Sequence, residues 1–274
     1  MSARTRALAI GGAAALIAVA CAKVPYSERK QFNVIPAATM NGIGKQSYDE
    51  VLAESKVIKK SSDVEVLTKV GKRIAKIADQ PDYAWSYALI DSEEANAWCL
   101  PGGYIGFYTG ILPVLENEAG MAFVMGHEVG HAVAHHGAER MSEQLAVAGG
   151  LGLLDAFLSG SGKVTEQQRG LIMAAAGLAV QGGVILPFSR THEKEADVIG
   201  MMYMADAGYP PGESMALWDR MSAMVGKGPP AFMSTHPSFD ARKENQQEWL
   251  PEAKKRFARH KLDYDTRATV WTAP

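Results

Sequence analysis

The spacing of apolar and polar residues divides this chain into a few strongly patterned stretches. Val64, Leu67, Val70, Ile74 and Ile77 recur at helical intervals behind Ser62-Asp63-Val64-Glu65, a capping-box signature, and predict an amphipathic helix. Trp85, Tyr87 and Leu89 alternate as a strand does, and further strands are expected at 96–100 and 104–108, joined by a turn at Pro101-Gly102-Gly103. The apolar run of residues 121–126 follows Glu116 and Glu118, acidic residues that oppose a helix macrodipole, and predicts a buried helix. Another helix is expected from Ser189 through Val198, Ile199, Met201, Met202 and Met204, until Gly208 and Pro210-Pro211 stop it. Residues 47–59 read as one more helix. Residues 23–44, with Pro25 and Pro36 and no periodicity, read as a tether. With strands early and helices dominating afterwards, the fold class is α+β.

Two apolar stretches, 145–158 and 171–188, flank Ser159-Gly160-Ser161-Gly162. The first is too short to span a bilayer and the second is marginal, with Gln181 inside it. A helical hairpin covering the site or touching a membrane surface is expected here, rather than a true span.

The patterned helices carry chemistry. His127-Glu128-Val129-Gly130-His131 places two histidines at i and i+4, one turn apart on one face, where both imidazoles can reach a single metal ion. Glu128 can then take a proton from a water at an open metal position. The bland reading is a pair of core histidines bonded to backbone or carboxylates. Glu193 and Asp197 are likewise i and i+4 on the later helix. Alone that pair would be a solvated face; beside two histidines, Glu193 supplies a third ligand and Asp197 a carboxylate that fixes a ligand histidine's tautomer. His135 and His136 are expected to be structural. On a continuous helix His127 and His135 stand about 12 Å apart along the axis, too far to share an ion. The ten-residue histidine spacing of another zinc pattern is also missing, since Gly137 stands there.

The N-terminus addresses the chain. Arg4 and Arg6, then an alanine-rich apolar stretch, then Ala18-Val19-Ala20-Cys21, read as a signal peptide with a lipobox in which Cys21 is expected to become the lipidated first residue; the bland reading is an ordinary signal peptide or a short anchor helix. Ala22 after that cysteine resembles the sorting pattern of outer-membrane lipoproteins in a Gram-negative host. Cys99 is the only other cysteine, so no internal disulfide is expected with Cys21 lipidated. A net charge of −2 over 274 residues excludes a nucleic-acid binder of the basic type. The expected organisation is a signal peptide at 1–20, a lipidated cysteine and tether at 21–44, a catalytic domain at 45–250 and a C-terminal tail at 251–274.

HEVGH at 127–131, SRTHEKEAD at 189–197, and Ser234-Thr235-His236-Pro237-Ser238 with Arg242 together resemble the zinc metallopeptidases that include CAAX prenyl proteases, HtpX, BepA and the mitochondrial Oma-type enzymes. Residues 95–105, ANAWCLPGGYI, are similar to that family's strand and loop before the active-site helix, although Trp98 and Cys99 replace smaller or phenylalanine-like residues. The resemblance covers roughly 45–250. It implies a mainly helical gluzincin fold with a small sheet beside the active-site helix. It implies one Zn²⁺ per chain on His127, His131 and Glu193, with Glu128 as base and Arg242 supporting the ligands. His236 is implied to lie near the metal, either as a switchable extra ligand or as a donor to the oxyanion. By position alone, a histidine before proline is a loop residue.

An edge strand beside the metal would let an extended peptide add as another strand, and Asn96 and Ala97 are the candidates for that edge. The other reading, an internal strand without free bonds, stands beside it. The expected function is a zinc metalloendopeptidase acting on misfolded or unassembled envelope proteins from the periplasmic face of the outer membrane. Its expected partners are unfolded or extended polypeptides, the membrane through its lipid, and outer-membrane assembly machinery. The competing class is a non-proteolytic or self-inhibited zinc-containing envelope factor.

Overall fold

The computed structural model describes residues 24–27, 29–147, 188–224, 232, 236 and 239–260. The expected signal peptide, Cys21, nearly all of the apolar segment at 145–188 with its expected hairpin, and residues 261–274 lie outside that set. Among the described residues no helix is long and apolar enough to cross a membrane.

Helix α1 (Ala37–Glu54) is followed by a two-residue strand β1 (Val57–Ile58) and helix α2 (Ser62–Ala78). Strands β2 (Ser86–Ile90), β3 (Ala97–Leu100) and β4 (Tyr104–Tyr108) come next, then a short 3₁₀ turn and helix α3 (Leu112–Leu115). Helices α4 (Glu118–Val133), α5 (His136–Val147), α6 (Arg190–Asp206), α7 (Glu213–Met224) and α8 (Phe239–His260) complete the described order.

The sheet runs β1-β2-β4-β3, with β2 and β4 parallel and the outer pairs antiparallel. Strand alternation sends successive side chains to opposite faces. Leu89, Ala97, Cys99, Ile105 and Phe107 enter the main core with α2 and α4, whereas Ala88, Ile90, Trp98, Leu100 and Tyr104 pack with Tyr48 of α1. The β3–β4 turn needs left-handed backbone at Gly102 (φ +88°) and Gly103 (φ +84°), which glycine adopts without steric cost.

Several boundaries differ from the sequence expectation. The N-cap of α2 is Ser61, whose hydroxyl accepts from Val64 N–H, so the cap stands one residue before the expected Ser62. Residues 47–59 are not one helix. The helix starts at Ala37 behind Pro36, a residue that reads as a breaker but suits a helix entry, and it stops at Glu54. Val57 and Ile58 then pair with Ile90 and Leu89, a long-range preference that overrides local helical pattern. Residues 24–35 pack onto the domain, with Val24, Gln31 and Ile35 buried. The boundary expected at 250 falls inside α8.

Helix α4 is buried along its whole length and starts on Asn117, whose side chain accepts from Gly120 N–H at 2.9 Å. It crosses α6 with backbones nearly touching. A Cβ on Gly200 would lie 2.7 Å from His127 N, and one on Gly126 would lie 2.9 Å from Gly200 O. That close crossing carries the second helix's carboxylates to the first helix's histidines.

Candidate metal centre

His127 and His131 stand on α4 with their Nε2 atoms 3.1 Å apart. From α6, Glu193 approaches with Oε2 3.6 Å from His127 Nε2 and Oε1 3.5 Å from His131 Nε2. His236 adds Nδ1, 3.2 Å from His127 Nε2 and 2.9 Å from Glu193 Oε1. All four side chains are buried, and one donor atom from each lies within 4.8 Å of the others.

This donor set fits a zinc ion. Ligands about 2.0–2.1 Å from a tetrahedral ion stand about 3.4 Å from one another, close to the separations found here. His127 Nδ1 is 3.0 Å from Asp197 Oδ1; donating to that carboxylate leaves Nε2 bare, facing another imidazole nitrogen and a carboxylate. Glu193 Oε2 lies 2.8 Å from Arg242 Nη1 as an ion pair, yet it is buried and receives no hydrogen bond. A cation among these atoms satisfies lone pairs that the protein leaves unmatched.

The charges agree. Burial lowers the proton affinity of His127 to about 4 and of His131 well below the ordinary histidine range, so both are neutral, as ligands must be. Glu193 stays ionised: burial would raise its pKa, but the neighbouring His236 and Arg242 outweigh it. Burial also opposes protonation of His236, yet the carboxylates of Glu193 and Glu128 prevail and raise its pKa. Glu128 is pushed up to about 7, chiefly by burial. It accepts a backbone hydrogen bond from Cys99 on β3, while its Oε1 has no hydrogen-bond partner and lies 3.4 Å from His236 Nε2.

Asp197 and Arg242 form one supporting unit. Asp197 Oδ2 accepts from Arg242 Nε at 2.7 Å, and Oδ1 from Nη2 at 2.6 Å, while the guanidinium lies over the Trp218 ring. Of the Ser234–Ser238 motif only His236 is described. It is held by its own N–H to Phe232 O and by ring stacking on Phe232, whose N–H donates to Ala95 O just before β3.

Among the described strands β3 lies at the sheet edge, next to α4. Asn96 and Ala97 are both buried; Asn96 O accepts from Tyr108 N–H, and Asn96 Oδ1 accepts from Ala97 N–H. Cys99, further along β3, turns its N–H to Glu128.

Sequence reasoning missed a second polar cluster behind the ligands. Helix α4 stops at Val133, and His135 adopts a left-handed conformation (φ +53°). The continuous helix assumed for His135 and His136 is therefore broken. Instead the chain doubles back and His136 Nδ1 reaches His131 Nδ1 at 2.9 Å. Glu195, Glu139, His192 and Arg29 complete that cluster. Two histidines and a glutamate within the nine residues after the HExxH were the available signal; nothing local pointed to Arg29.

The profile of peptidase family M48 matches residues 61–250. The chain is similar to the mitochondrial metalloendopeptidase OMA1 of Schizosaccharomyces pombe, with 35% identity over 84% of this chain and 66% of that protein. The protein of the same name from Saccharomyces cerevisiae is 28% identical over 90% of this chain and 74% of its own length. The beta-barrel assembly-enhancing protease of Yersinia pestis is 29% identical over 64% of this chain, which spans only 36% of that protein.

Proposed function

The chain belongs to peptidase family M48, the zinc metalloproteases, and from this premise we propose that it is an endopeptidase cutting extended or unfolded polypeptides at the cell envelope. The observation that carries the reading is the buried convergence of His127, His131 and Glu193 with Glu128 beside them.

His127, His131 and Glu193 would hold the ion. When bound, zinc acts as a Lewis acid towards the scissile carbonyl and acidifies water. Glu128, with a proton affinity raised to about 7, takes the proton from water and passes it to the departing amine. Asp197 and Arg242 hold His127 in the tautomer that keeps Nε2 free. The outer edge of β3 near Asn96 and Ala97 receives the substrate backbone, a mode that reads little side-chain identity and suits unfolded segments.

His236 gives the site a second, self-inhibited state. Its Nδ1 stands inside the donor cluster, which as a set of four protein ligands is closed. Substrate enters as His236 leaves that position.

The envelope assignment rests on the sequence around Cys21 and on the similarity to the Yersinia protease; the OMA1 relatives are mitochondrial by name. It assigns the lipidated chain to the periplasmic face of the outer membrane, in protein quality control near the assembly machinery. Mass spectrometry of the mature chain tests this, and an unmodified Cys21 refutes it. The activity is tested by comparing the purified chain with Glu128→Gln. Both are expected to hold one zinc, with cleavage of an unfolded protein falling by about 10²–10⁴-fold in the variant. Equal zinc with cleavage by neither would favour the non-proteolytic reading.

A further inference from the structure

Residues 24–27 and 29–35 form a strap across the end of α4, α5 and α6. Gln31 Nε2 donates to Ala134 O, Val34 N–H donates to Ser142 Oγ at 3.0 Å, and Val24 and Ile35 are buried. Arg29 lies within this strap, before the region matched by the family profile. Its guanidinium grips two carboxylates at once. Nε and Nη2 donate to Glu195 at 2.8 and 2.9 Å, and Nη1 and Nη2 donate to Glu139 at 2.5 and 2.8 Å. Ser27 Oγ adds a donation to Glu195 at 3.2 Å.

Each carboxylate is in turn aimed at a histidine. Glu139 Oε2 lies 2.9 Å from His192 Nε2, and Glu195 Oε2 lies 3.0 Å from His136 Nε2, with the two imidazoles stacked 4.3 Å apart. His136 Nδ1 then meets His131 Nδ1 at 2.9 Å. Only one pattern of protons serves this chain of contacts. His131 must present a bare Nε2 to the ligand cluster, so its Nδ1 carries hydrogen and donates to His136 Nδ1. His136 therefore carries its own hydrogen on Nε2 and donates to Glu195. A carboxylate pinned by a guanidinium thus sets the tautomers and ring planes of two successive histidines, the second being a ligand.

We propose that Arg29 is a positioning residue for the metal centre, holding His131 in its ligating orientation through Glu195 and His136. The proposal rests on the reading of His131 as a zinc ligand. Asp197 and Arg242 do the same for His127 from the opposite side, so each ligand histidine has its own carboxylate and arginine.

The test measures zinc release to a chelator, and the visible spectrum of the cobalt-substituted protein, which reports ligand geometry directly. Wild type is compared with Arg29→Ala, Arg29→Lys, His136→Gln and Ile35→Ala in the full chain. Arg29→Ala and His136→Gln are expected to weaken metal retention by about 10–100-fold and to shift the cobalt bands. Arg29→Lys, which keeps the charge without the fork, should fall between them and wild type. Ile35→Ala loosens the strap by packing alone and should leave both readouts unchanged. Wild-type release from Arg29→Ala, or equal acceleration in Ile35→Ala at matched melting temperature, overturns the proposal. Were Arg29→Ala not to fold, wild-type release from His136→Gln would overturn it equally. Full zinc retention by His131→Ala would instead remove the ligand assignment itself.

Discussion

Gly200→Ala tests whether the α4–α6 crossing sets the site. The added methyl would stand 2.7 Å from His127 N and 3.0 Å from both His127 Cα and Gly126 C, all backbone atoms that cannot rotate aside. Reaching the 3.4 Å of ordinary contact requires the helices to part by about 0.7 Å. Glu193 and Asp197 ride on the displaced helix, so both withdraw from the histidines. Overpacking of this kind costs about 1–3 kcal/mol, offset by about 1 kcal/mol from alanine's better helix propensity. The net loss of about 0–2 kcal/mol lowers the melting temperature by at most about 8 °C in a chain of this size. Activity should suffer more, since misplacing reacting groups by about 1 Å costs about 100-fold. The assay is kcat/KM on a quenched peptide, with zinc content and thermal melting measured on the same preparation. Gly42→Ala is the control: nothing lies within 4 Å of its would-be Cβ on α1, so it should gain about 1 kcal/mol and leave activity alone. A Gly200→Ala enzyme that melts higher, as Gly42→Ala should, and keeps kcat/KM within about twofold would refute the argument.

Further outcomes follow from the same geometry. His236→Ala should keep zinc and raise turnover of an unfolded substrate, because its Nδ1 closes the ligand cluster; a loss of about 10²–10³-fold would show that its main role is at the oxyanion. Glu139 carries an acid-sensitive share of stability: burial would raise its pKa, but His192 and Arg29 hold it at about 2, against an ordinary 4.5. That share is fully present above pH 4.5 and disappears as pH falls towards 2, so Glu139→Gln should flatten the decline of the urea midpoint across this window. Cys99 is buried, and burial together with the nearby Glu128 raises its thiol pKa. It should resist a thiol reagent in the native protein and react after unfolding; rapid native labelling would contradict the packed β3 described above.

Much of the fold was legible because its signals are local. The period of Val64, Leu67, Val70 and Ile74 follows from helix geometry, and the alternation through β2, β3 and β4 follows from the pleat. The spacing of His127 with His131 and of Glu193 with Asp197 likewise put each pair on one face before any tertiary contact was known. Resemblance, and not spacing, brought in His236 and Arg242. The edge position of β3 was one of two open readings; among the described strands β3 stands at the end of the order β1-β2-β4-β3.

What the sequence determined by itself was therefore the pair of helices, the residues each presents, and the chemistry those residues can perform together. Tertiary structure decided how closely the helices approach, through glycines meeting across the crossing. It decided that Val57 and Ile58 join a sheet, and that the segment at 24–35 is docked strap. It also decided that a left-handed His135 returns His136 to the back of His131. The physical reason is separation along the chain. Periodicity and capping are set by neighbours within a turn or two, whereas the contacts among Arg29, Glu195, His136 and His131 join residues up to 166 positions apart and exist only once the core has formed.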